Sequence, residues 1–132
     1  MYALDTNTVI YYFKGMGDIA AQLLAVPPAQ ILIPAIVEYE LSVGVARSPE
    51  ATRRREQLAR FLGTVTVVPF GREESAAAAS TRADLERRGV PIGPLDVLIA
   101  GTALARGAIL VTRNTREFSR VSGLRVANWY DG

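Results

Sequence analysis

Three acidic residues, far apart along the chain, stand where a carboxylate could do chemistry: Asp5, Glu40 and Asp96. Asp5 follows Tyr2 to Leu4, a short apolar segment that is predicted to be a strand. An aspartate at this place can cap the next helix by accepting a hydrogen bond from a backbone N–H two or three residues later. It can also bind a ligand at the same time, because one carboxylate has several acceptor positions.

Glu40 lies in a segment, residues 35–46, that is predicted to be a helix after Pro34. At about 100° per residue, its apolar residues fill an arc of about 200°, with Glu40 near the centre and Glu38 on the opposite side. A carboxylate buried alone is costly unless a cation or donors compensate it. Glu40 is therefore a candidate functional residue, unless it pairs with a buried arginine or the helix buries another face. The arc comprises Ile36, Val37, Tyr39, Leu41, Val43 and Gly44.

Asp96 is the only acidic residue in a strongly apolar segment, Leu95 to Ala105, which is predicted to be a helix. A carboxylate in a first helical turn interacts favourably with the helix dipole, by about 0.3–1 kcal/mol, and this effect alone could explain it. A helix that is apolar on all sides is a buried one, however. Its first turn is then expected beside the carboxyl edge of the sheet, where Asp5 also lies.

The end of the predicted strand 109–111 brings Asn114 to the same edge, and Glu117 follows one helical turn later. We expect Asp5, Glu40 and Asp96 to form one cluster, with these two residues at its rim. Carboxylates crowded together repel and cannot all ionise unaided, and a divalent cation removes the conflict. Because the ligands are oxygen atoms only, the sequence predicts a pocket for Mg²⁺ or Mn²⁺.

Composition limits both the class of protein and its chemistry. A length of 132 residues, with 49% hydrophobic and 21% charged residues, fits a single globular domain over residues 1–132. The chain contains no cysteine and no histidine, which excludes disulfides, thiolate or histidine-bound zinc, and hydrolysis through an imidazole base. Its net charge of +2 favours an anionic partner only slightly. With no signal-peptide pattern and no apolar segment long enough to span a bilayer, we expect a cytoplasmic protein without a membrane partner.

Short apolar strands alternate with helices along the chain, which predicts an α/β fold. Strands apolar on both faces are typical of a parallel sheet covered by helices on both sides, and such sheets bind ligands at the carboxyl ends of their strands. The predicted strands are 2–4, 31–33, 65–68 and 109–111, with a short fifth at 124–127. The predicted helices are 6–13, 18–25, 35–46, 50–62, 73–88 and the segment from Pro94 through Ala105.

The sequence resembles a known family in three segments: LDTNTVI at the start, IPAIVEYELSVG in the first third and PLDVLIAGTALARGAILVTRNTREF near the end. Together, in this order and over nearly the whole chain, they resemble the PIN-domain ribonucleases. More narrowly, they resemble the VapC-type toxins of bacterial type II toxin–antitoxin pairs. The resemblance implies a three-layer α/β/α sandwich with a central, mostly parallel sheet of four to five strands. It also implies endonucleolytic cleavage of RNA that depends on Mg²⁺, for which Mn²⁺ can substitute.

The resemblance assigns catalytic and metal-binding roles to Asp5, Glu40 and Asp96. Many members carry a fourth acid in a T-x-D pattern, and this chain has Asn114 there. An asparagine still offers a carbonyl oxygen to a ligand or a water, and Glu117 could supply the missing charge. This departure leaves open whether the site holds one metal ion or two.

Four further residues at this edge are expected to assist through their own chemistry, and the resemblance implies several partners. The hydroxyls of Thr6 and Thr112 are expected to orient metal ligands. Arg113 and Arg116 are expected to meet RNA phosphates, although single arginines are more often ordinary surface residues. The implied partners are an RNA substrate, a cognate antitoxin whose C-terminal segment lies across the active site, and a second copy in a homodimer that joins the antitoxin in a hetero-oligomer. Released from the antitoxin, the toxin would inhibit translation and growth.

Three other interpretations are kept. A haloacid-dehalogenase-like phosphatase also has an aspartate after its first strand, but it expects a second one where this chain has Asn7. A phosphoacceptor receiver domain expects an acidic pair beside its phosphorylated aspartate and a lysine after a late strand, whereas the only lysine here is Lys14. The third is a catalytically degenerate PIN domain that binds RNA or protein, which Asn114 leaves open.

Overall fold

Five parallel strands form the central sheet, and the first strand of the chain lies in its middle. In the computed structural model, which describes residues 1–132, the strands are β1 (Tyr2–Leu4), β2 (Ile31–Pro34), β3 (Thr66–Val68), β4 (Ile109–Val111) and β5 (Val126–Ala127). Their spatial order is β3-β2-β1-β4-β5. The chain moves outward from β1 to β3 on one side and then crosses to β4 on the other. The topological switch point, where such sheets bind ligands, is therefore between β1 and β4.

Seven α-helices connect and cover these strands. The predicted bounds agree closely with the structure, and the largest difference is that β5 begins at Val126 rather than at residue 124. Two single-turn elements were not predicted, the 3-10 helix Pro28–Gln30 and the helix Thr115–Phe118, because one turn is too short to show hydrophobic periodicity. No helix has the length and apolar character that a bilayer span requires. The helices are α1 (Thr6–Phe13), α2 (Ile19–Leu24), α3 (Ala35–Arg47), α4 (Ala51–Leu62), α5 (Arg72–Arg87), α6 (Pro94–Ala105) and α7 (Thr115–Phe118).

Burial along the strands shows that the sheet is covered on both faces. Successive strand residues point to opposite faces, and all four residues of β2, Ile31 to Pro34, are buried. Leu4 of β1 and Leu110 of β4 are fully buried in the same core cluster. The predicted α/β/α architecture with a parallel sheet is thus confirmed.

Helices α5 and α6 pack closely enough to exclude even a methyl group at their contact. A Cβ atom on Gly101 would lie 2.6 Å from the backbone N and Cα atoms of Ala78. At one end of this helix pair, Arg106 Nε lies 3.3 Å from the buried Glu74 carboxylate. Because α6 carries Asp96 in its first turn, this packing sets the position of that carboxylate relative to the sheet.

The prediction for the buried face of α3 is wrong in part. Val37 and Leu41 are buried, but Tyr39 is 59% exposed and Gly44 is exposed. The helix contacts the core only through a narrow stripe of residues that lie one turn apart, Val37 and Leu41. The predicted apolar arc was wider and also included residues on either side of this stripe. Glu40 is consequently half-buried at the margin of the core, and Glu38 is half-buried as well.

Candidate active site

Asp5 occupies the centre of the carboxyl edge of the sheet, with a side chain that is only 6% exposed. Its Oδ1 atom accepts a hydrogen bond of 2.9 Å from the backbone N–H of Thr8, so the predicted helix cap is present. Burial raises the pKa of Asp5, while hydrogen bonds from Thr112 and Thr8 act against that rise. The cap engages one carboxylate oxygen, which leaves acceptor capacity for a ligand.

Thr8 and Thr112 are buried threonines at this edge of the sheet, and the hydroxyl of each forms a hydrogen bond with the backbone. Thr8, a residue that the sequence analysis did not single out, is buried and donates from Oγ1 to the backbone oxygen of Val111 at 3.1 Å. This bond joins the start of α1 to the end of β4, across the switch point. Thr112 is fully buried, and its Oγ1 atom accepts the backbone N–H of Asn114 at 3.0 Å. In the sequence, the only signal for Thr8 is its position in the polar Thr6-Asn7-Thr8 run that follows Asp5.

Asp96 lies in the first turn of α6 and is half-buried. A Cβ atom on Gly93, the residue before this helix, would lie 3.2 Å from Oδ2 of Asp96, so glycine leaves room for the carboxylate above the turn. Burial first, and then the negative charges of Glu117, Asp5 and Glu40, raise the pKa of Asp96 to about 6. None of these four carboxylates forms an ion pair with an arginine or lysine. We call these four side chains the acidic cluster.

Glu40 reaches the acidic cluster from α3 through a bond to the residue after Asp5. Thr6 Oγ1 donates a hydrogen bond of 2.7 Å to Oε1 of Glu40. The bond links the first turn of α1 to the middle of α3, residues that are 34 positions apart. Thr6 therefore orients the glutamate rather than contacting Asp5.

Asn114 turns its side-chain amide toward Glu117. Its Nδ2 atom donates to Oε2 of Glu117 at 2.6 Å, and the backbone N–H of Gly93 donates to Oε1 at 3.2 Å. Glu117 is thus held against the start of α6 by two donors, and its charge has the largest Coulombic effect on the pKa of Asp96. The carboxylate that the T-x-D position lacks is present nearby on Glu117.

The two arginines of the rim are both exposed. The guanidinium of Arg113 stacks on the ring of Tyr130, with its central carbon 3.6 Å from the ring centroid. Neither Arg113 nor Arg116 pairs with a carboxylate. The sequence placed both at this edge, but it did not indicate the tyrosine contact.

The acidic cluster has oxygen donors suited to a hard divalent cation, but they do not form a closed metal site. No three of its members lie close enough together to hold an ion as the side chains stand. Mg²⁺ commonly keeps several waters and takes only one or two protein carboxylates, so it does not require a closed cage. Carboxylates whose negative charges raise the pKa of Asp96, and which have no basic partner, are donors of the kind that such an ion binds.

Comparison with known proteins bears on the same residues. The PIN domain family pattern matches residues 2–124. The chain is similar to the tRNA(fMet)-specific endonuclease VapC of Salmonella typhimurium, with 32% identity over 97% of each chain, and to ribonuclease VapC2 of Rickettsia felis, with 35% identity over 98% of each. Its fold is similar to a chain in the crystal structure of VapBC2 from Rickettsia felis bound to a promoter DNA fragment, with a TM-score of 0.91 and 33% identity over 97% of this chain and 98% of that one. Sequence and fold thus agree from end to end with one group of proteins, and the chain belongs to the PIN domain family, among the VapC ribonucleases.

Proposed function

We propose that this protein is a metal-dependent endoribonuclease and the toxin of a toxin–antitoxin pair. The observation that carries the proposal is the acidic cluster: four carboxylates at the switch point of a PIN domain, with no basic side chain to neutralise them. An uncompensated cluster of this kind is unfavourable by itself. It becomes favourable when a divalent cation and a phosphodiester share it.

Asp5 and Asp96 would hold a Mg²⁺ ion, for which Mn²⁺ can substitute, with waters completing its coordination. When bound, the ion supplies a Lewis acid that stabilises charge on the phosphodiester and acidifies the attacking water. Glu40, oriented by Thr6, would either reach the ion through a water or accept the proton of the nucleophile. Thr112, which lowers the pKa of Asp5, would help to orient that carboxylate toward the ion.

Glu117 would take the part that the fourth acid plays in other family members. The amide of Asn114 and the backbone N–H of Gly93 orient its carboxylate next to Asp96. This arrangement favours a catalytic site over the alternative, a degenerate PIN domain that only binds RNA or protein. Asn114 then lacks the negative charge that an aspartate has at the T-x-D position, and Glu117 would supply that charge.

The substrate class is RNA, and the name of the Salmonella relative makes initiator tRNA the first molecule to test. Purified protein should cleave this tRNA with Mg²⁺ or Mn²⁺ and should stop when EDTA is added. Asp5→Asn should lower the cleavage rate by at least about 100-fold, since losing even an outer partner of a metal ligand costs about 10–100-fold. Electrophoresis of end-labelled tRNA measures both effects.

A matched control for this experiment is Asp18→Asn. Asp18 is an exposed aspartate that also precedes a helix but makes no side-chain cap bond there. This variant should cleave at the parental rate. Equal cleavage by the Asp5→Asn variant, or full cleavage in EDTA, would rule out the proposed chemistry.

The cognate antitoxin would bind in an apolar groove next to the acidic cluster. The groove lies between α1, α3 and α4, and Glu40 of the cluster is one of its lining residues. A segment bound along it would cover the approach to Glu40 and block RNA. Its apolar walls are formed by Ile10, Phe13, Leu41, Val45 and Leu58.

A further inference from the structure

Arg113 is held by two tyrosines from distant parts of the chain. Its guanidinium carbon lies 3.6 Å from the ring centroid of Tyr130 and 5.6 Å from that of Tyr11. The two rings contact each other edge to face, with centroids 4.9 Å apart and planes at 70°. Such stacking restricts the rotation of a long side chain and adds a cation–π attraction.

Tyr130 is itself fixed in place by the turn before α2. Gly17 has a φ angle of +65°, and a Cβ atom there would lie 2.7 Å from the backbone oxygen of Tyr130 and 2.8 Å from its ring. The backbone N–H of Asp18 donates to that same oxygen at 2.9 Å. The side chain of Asn128 accepts the N–H of Tyr130 at 2.9 Å. The platform under Arg113 is therefore preorganised.

Arg113 forms no ion pair with a carboxylate, whereas five of the other thirteen arginines do. Arg53, Arg82 and Arg88 each pair with a carboxylate of their own helix region. Arg113 has no such partner. Hydrogen bonding to Tyr11, and after it the charges of Tyr130, Tyr11 and Asp131, raise the pKa of Arg113, so the guanidinium stays charged. With one face on a ring, its edge keeps N–H donors that match the oxygens of a phosphate.

The position of Arg113 relates this cation to the acidic cluster. It lies between Thr112, which supports Asp5, and Asn114, which holds Glu117. We propose that Arg113, stacked on Tyr130 and Tyr11, is a preorganised clamp for a backbone phosphate of the RNA that enters the site. This inference rests on the proposed ribonuclease function, and it assigns to Tyr11 and Tyr130 the role of positioning residues.

The test measures RNA binding without cleavage. In an Asp96→Asn background, the affinity for fluorescein-labelled initiator tRNA is measured by anisotropy over a series of KCl concentrations. Loss of one phosphate contact to a single strand lowers the magnitude of the slope of log K against log salt by about 0.7. If the variant and its parent bind equally at about 1 M salt, the variant should bind about fivefold more weakly at about 0.1 M salt. Arg113→Gln should show both changes.

Two further variants separate the charge of the clamp from its positioning. Tyr130→Leu keeps the charge of Arg113 but removes its platform, so binding should weaken while the salt slope stays unchanged. Tyr130→Phe keeps the ring and should bind as the parent does. Circular dichroism of each variant identifies a loss of fold, and Arg113→Gln tests the inference even if the Tyr130→Leu variant fails to fold.

Arg125→Gln is the matched control. Arg125 is an exposed arginine at the opposite, amino end of a strand, where it donates to the backbone oxygen of Gly107. It should change neither the affinity nor the slope. The inference is overturned if Arg113→Gln leaves both unchanged, if Arg125→Gln has the same effect, or if Arg113→Gln weakens only the binding of the antitoxin.

The outcomes also separate this inference from the proposed function. If the Asp96→Asn protein binds RNA through Arg113 but the wild-type protein does not cleave RNA with Mg²⁺ or Mn²⁺, the nuclease proposal fails and the clamp stands. If the wild-type protein cleaves RNA and Asp5→Asn abolishes cleavage, but Arg113→Gln has no effect on binding, the clamp fails alone. No detectable RNA binding by the Asp96→Asn protein overturns the clamp.

Discussion

The pKa of Asp96 depends on the three carboxylates around it and on its burial. Together they raise this pKa from its ordinary value of 3.8 to about 6. Below both values the carboxyl group is protonated in the folded and the unfolded chain, and it has no effect on stability. Between them only the unfolded chain ionises, so the free energy of unfolding falls as the pH rises from about 4 to about 6 and stays lower above that. Asp5, whose pKa is also raised, has the same sign of effect.

Asp96→Asn should therefore stabilise the metal-free protein at neutral pH and reduce the decline between about pH 4 and about pH 6. Because the side chain is half exposed, solvent screening limits the gain to the order of 1 kcal/mol. Urea unfolding in EDTA at several pH values measures it. Asp18→Asn, at an exposed site outside the cluster, should leave the profile unchanged, and a less stable Asp96→Asn protein at neutral pH would contradict the expected repulsion.

Asn114 forms a hydrogen bond with Glu117 that an ionised aspartate at the same position could not form. As an amide it donates to Glu117 at 2.6 Å, whereas a carboxylate would repel it. Asn128 makes an equivalent bond to Asp131, also at 2.6 Å and three residues apart, outside the acidic cluster. The chain thus offers a matched pair of sites with and without a predicted cation.

Asn114→Asp should lower the free energy of unfolding in EDTA by about 1 kcal/mol, because a hydrogen bond is replaced by repulsion. Mg²⁺ should restore most of this loss, since the added carboxylate would join the proposed cation site. Thermal unfolding with EDTA and with Mg²⁺ measures both. Asn128→Asp should lose similar stability that Mg²⁺ does not restore; restoration at both sites would mean that the ion acts nonspecifically.

At the scale of elements, the site depends on where α6 lies on the sheet. The first turn of α6 carries Asp96, and its middle contacts α5 at Gly101, where a Cβ atom would collide with the backbone of Ala78. The bond from Thr6 to Glu40 joins α1 and α3 in a comparable way. Asp96 thus depends on a helix contact far from its own side chain, whereas the carboxylate of Glu40 itself takes part in the contact between α1 and α3.

Gly101→Ala should destabilise the protein by about 3 kcal/mol, because the two helices must separate to admit a methyl group. Gly44→Ala on α3 is the matched control, since no atom lies within 4 Å of the position of its Cβ. That change should stabilise by about 0.5–1 kcal/mol through helix propensity. Urea unfolding measures both, and similar effects at the two glycines would contradict a close α5–α6 contact.

At the scale of the whole molecule, the acidic cluster and the apolar groove are continuous. Glu40 belongs to both, and the groove extends from it along α1, α3 and α4. A protein that occupies the groove would therefore compete with RNA at Glu40. Inhibition by an antitoxin then requires no change in the fold.

Gly44→Phe should weaken the binding of the cognate antitoxin by about tenfold or more, since its ring would fill the groove that Gly44 lines. Calorimetry with the product of the neighbouring antitoxin gene measures the affinity. The control is Ala46→Phe, at an exposed position of the same helix that does not line the groove. Equal affinity of both variants for the antitoxin would place its binding elsewhere.

The sequence by itself determined the elements and the edge at which the acids meet. Short apolar strands between helices predict a parallel sheet, and the carboxyl ends of parallel strands share one edge, so Asp5 and Asp96 could be placed there without a structure. The predicted cap at Asp5 is present for the same local reason. Their roles as catalytic residues and metal ligands stay predictions.

Only the tertiary structure decided how side chains from distant segments meet. It exposed Tyr39 on a helix face that the apolar pattern assigned to the core. It turned Asn114 toward Glu117 and the backbone of Gly93, and it placed Arg113 on Tyr130. Periodicity reports which residues of one element share a face, whereas these contacts depend on the distance and angle between elements, which the packing of the whole core sets.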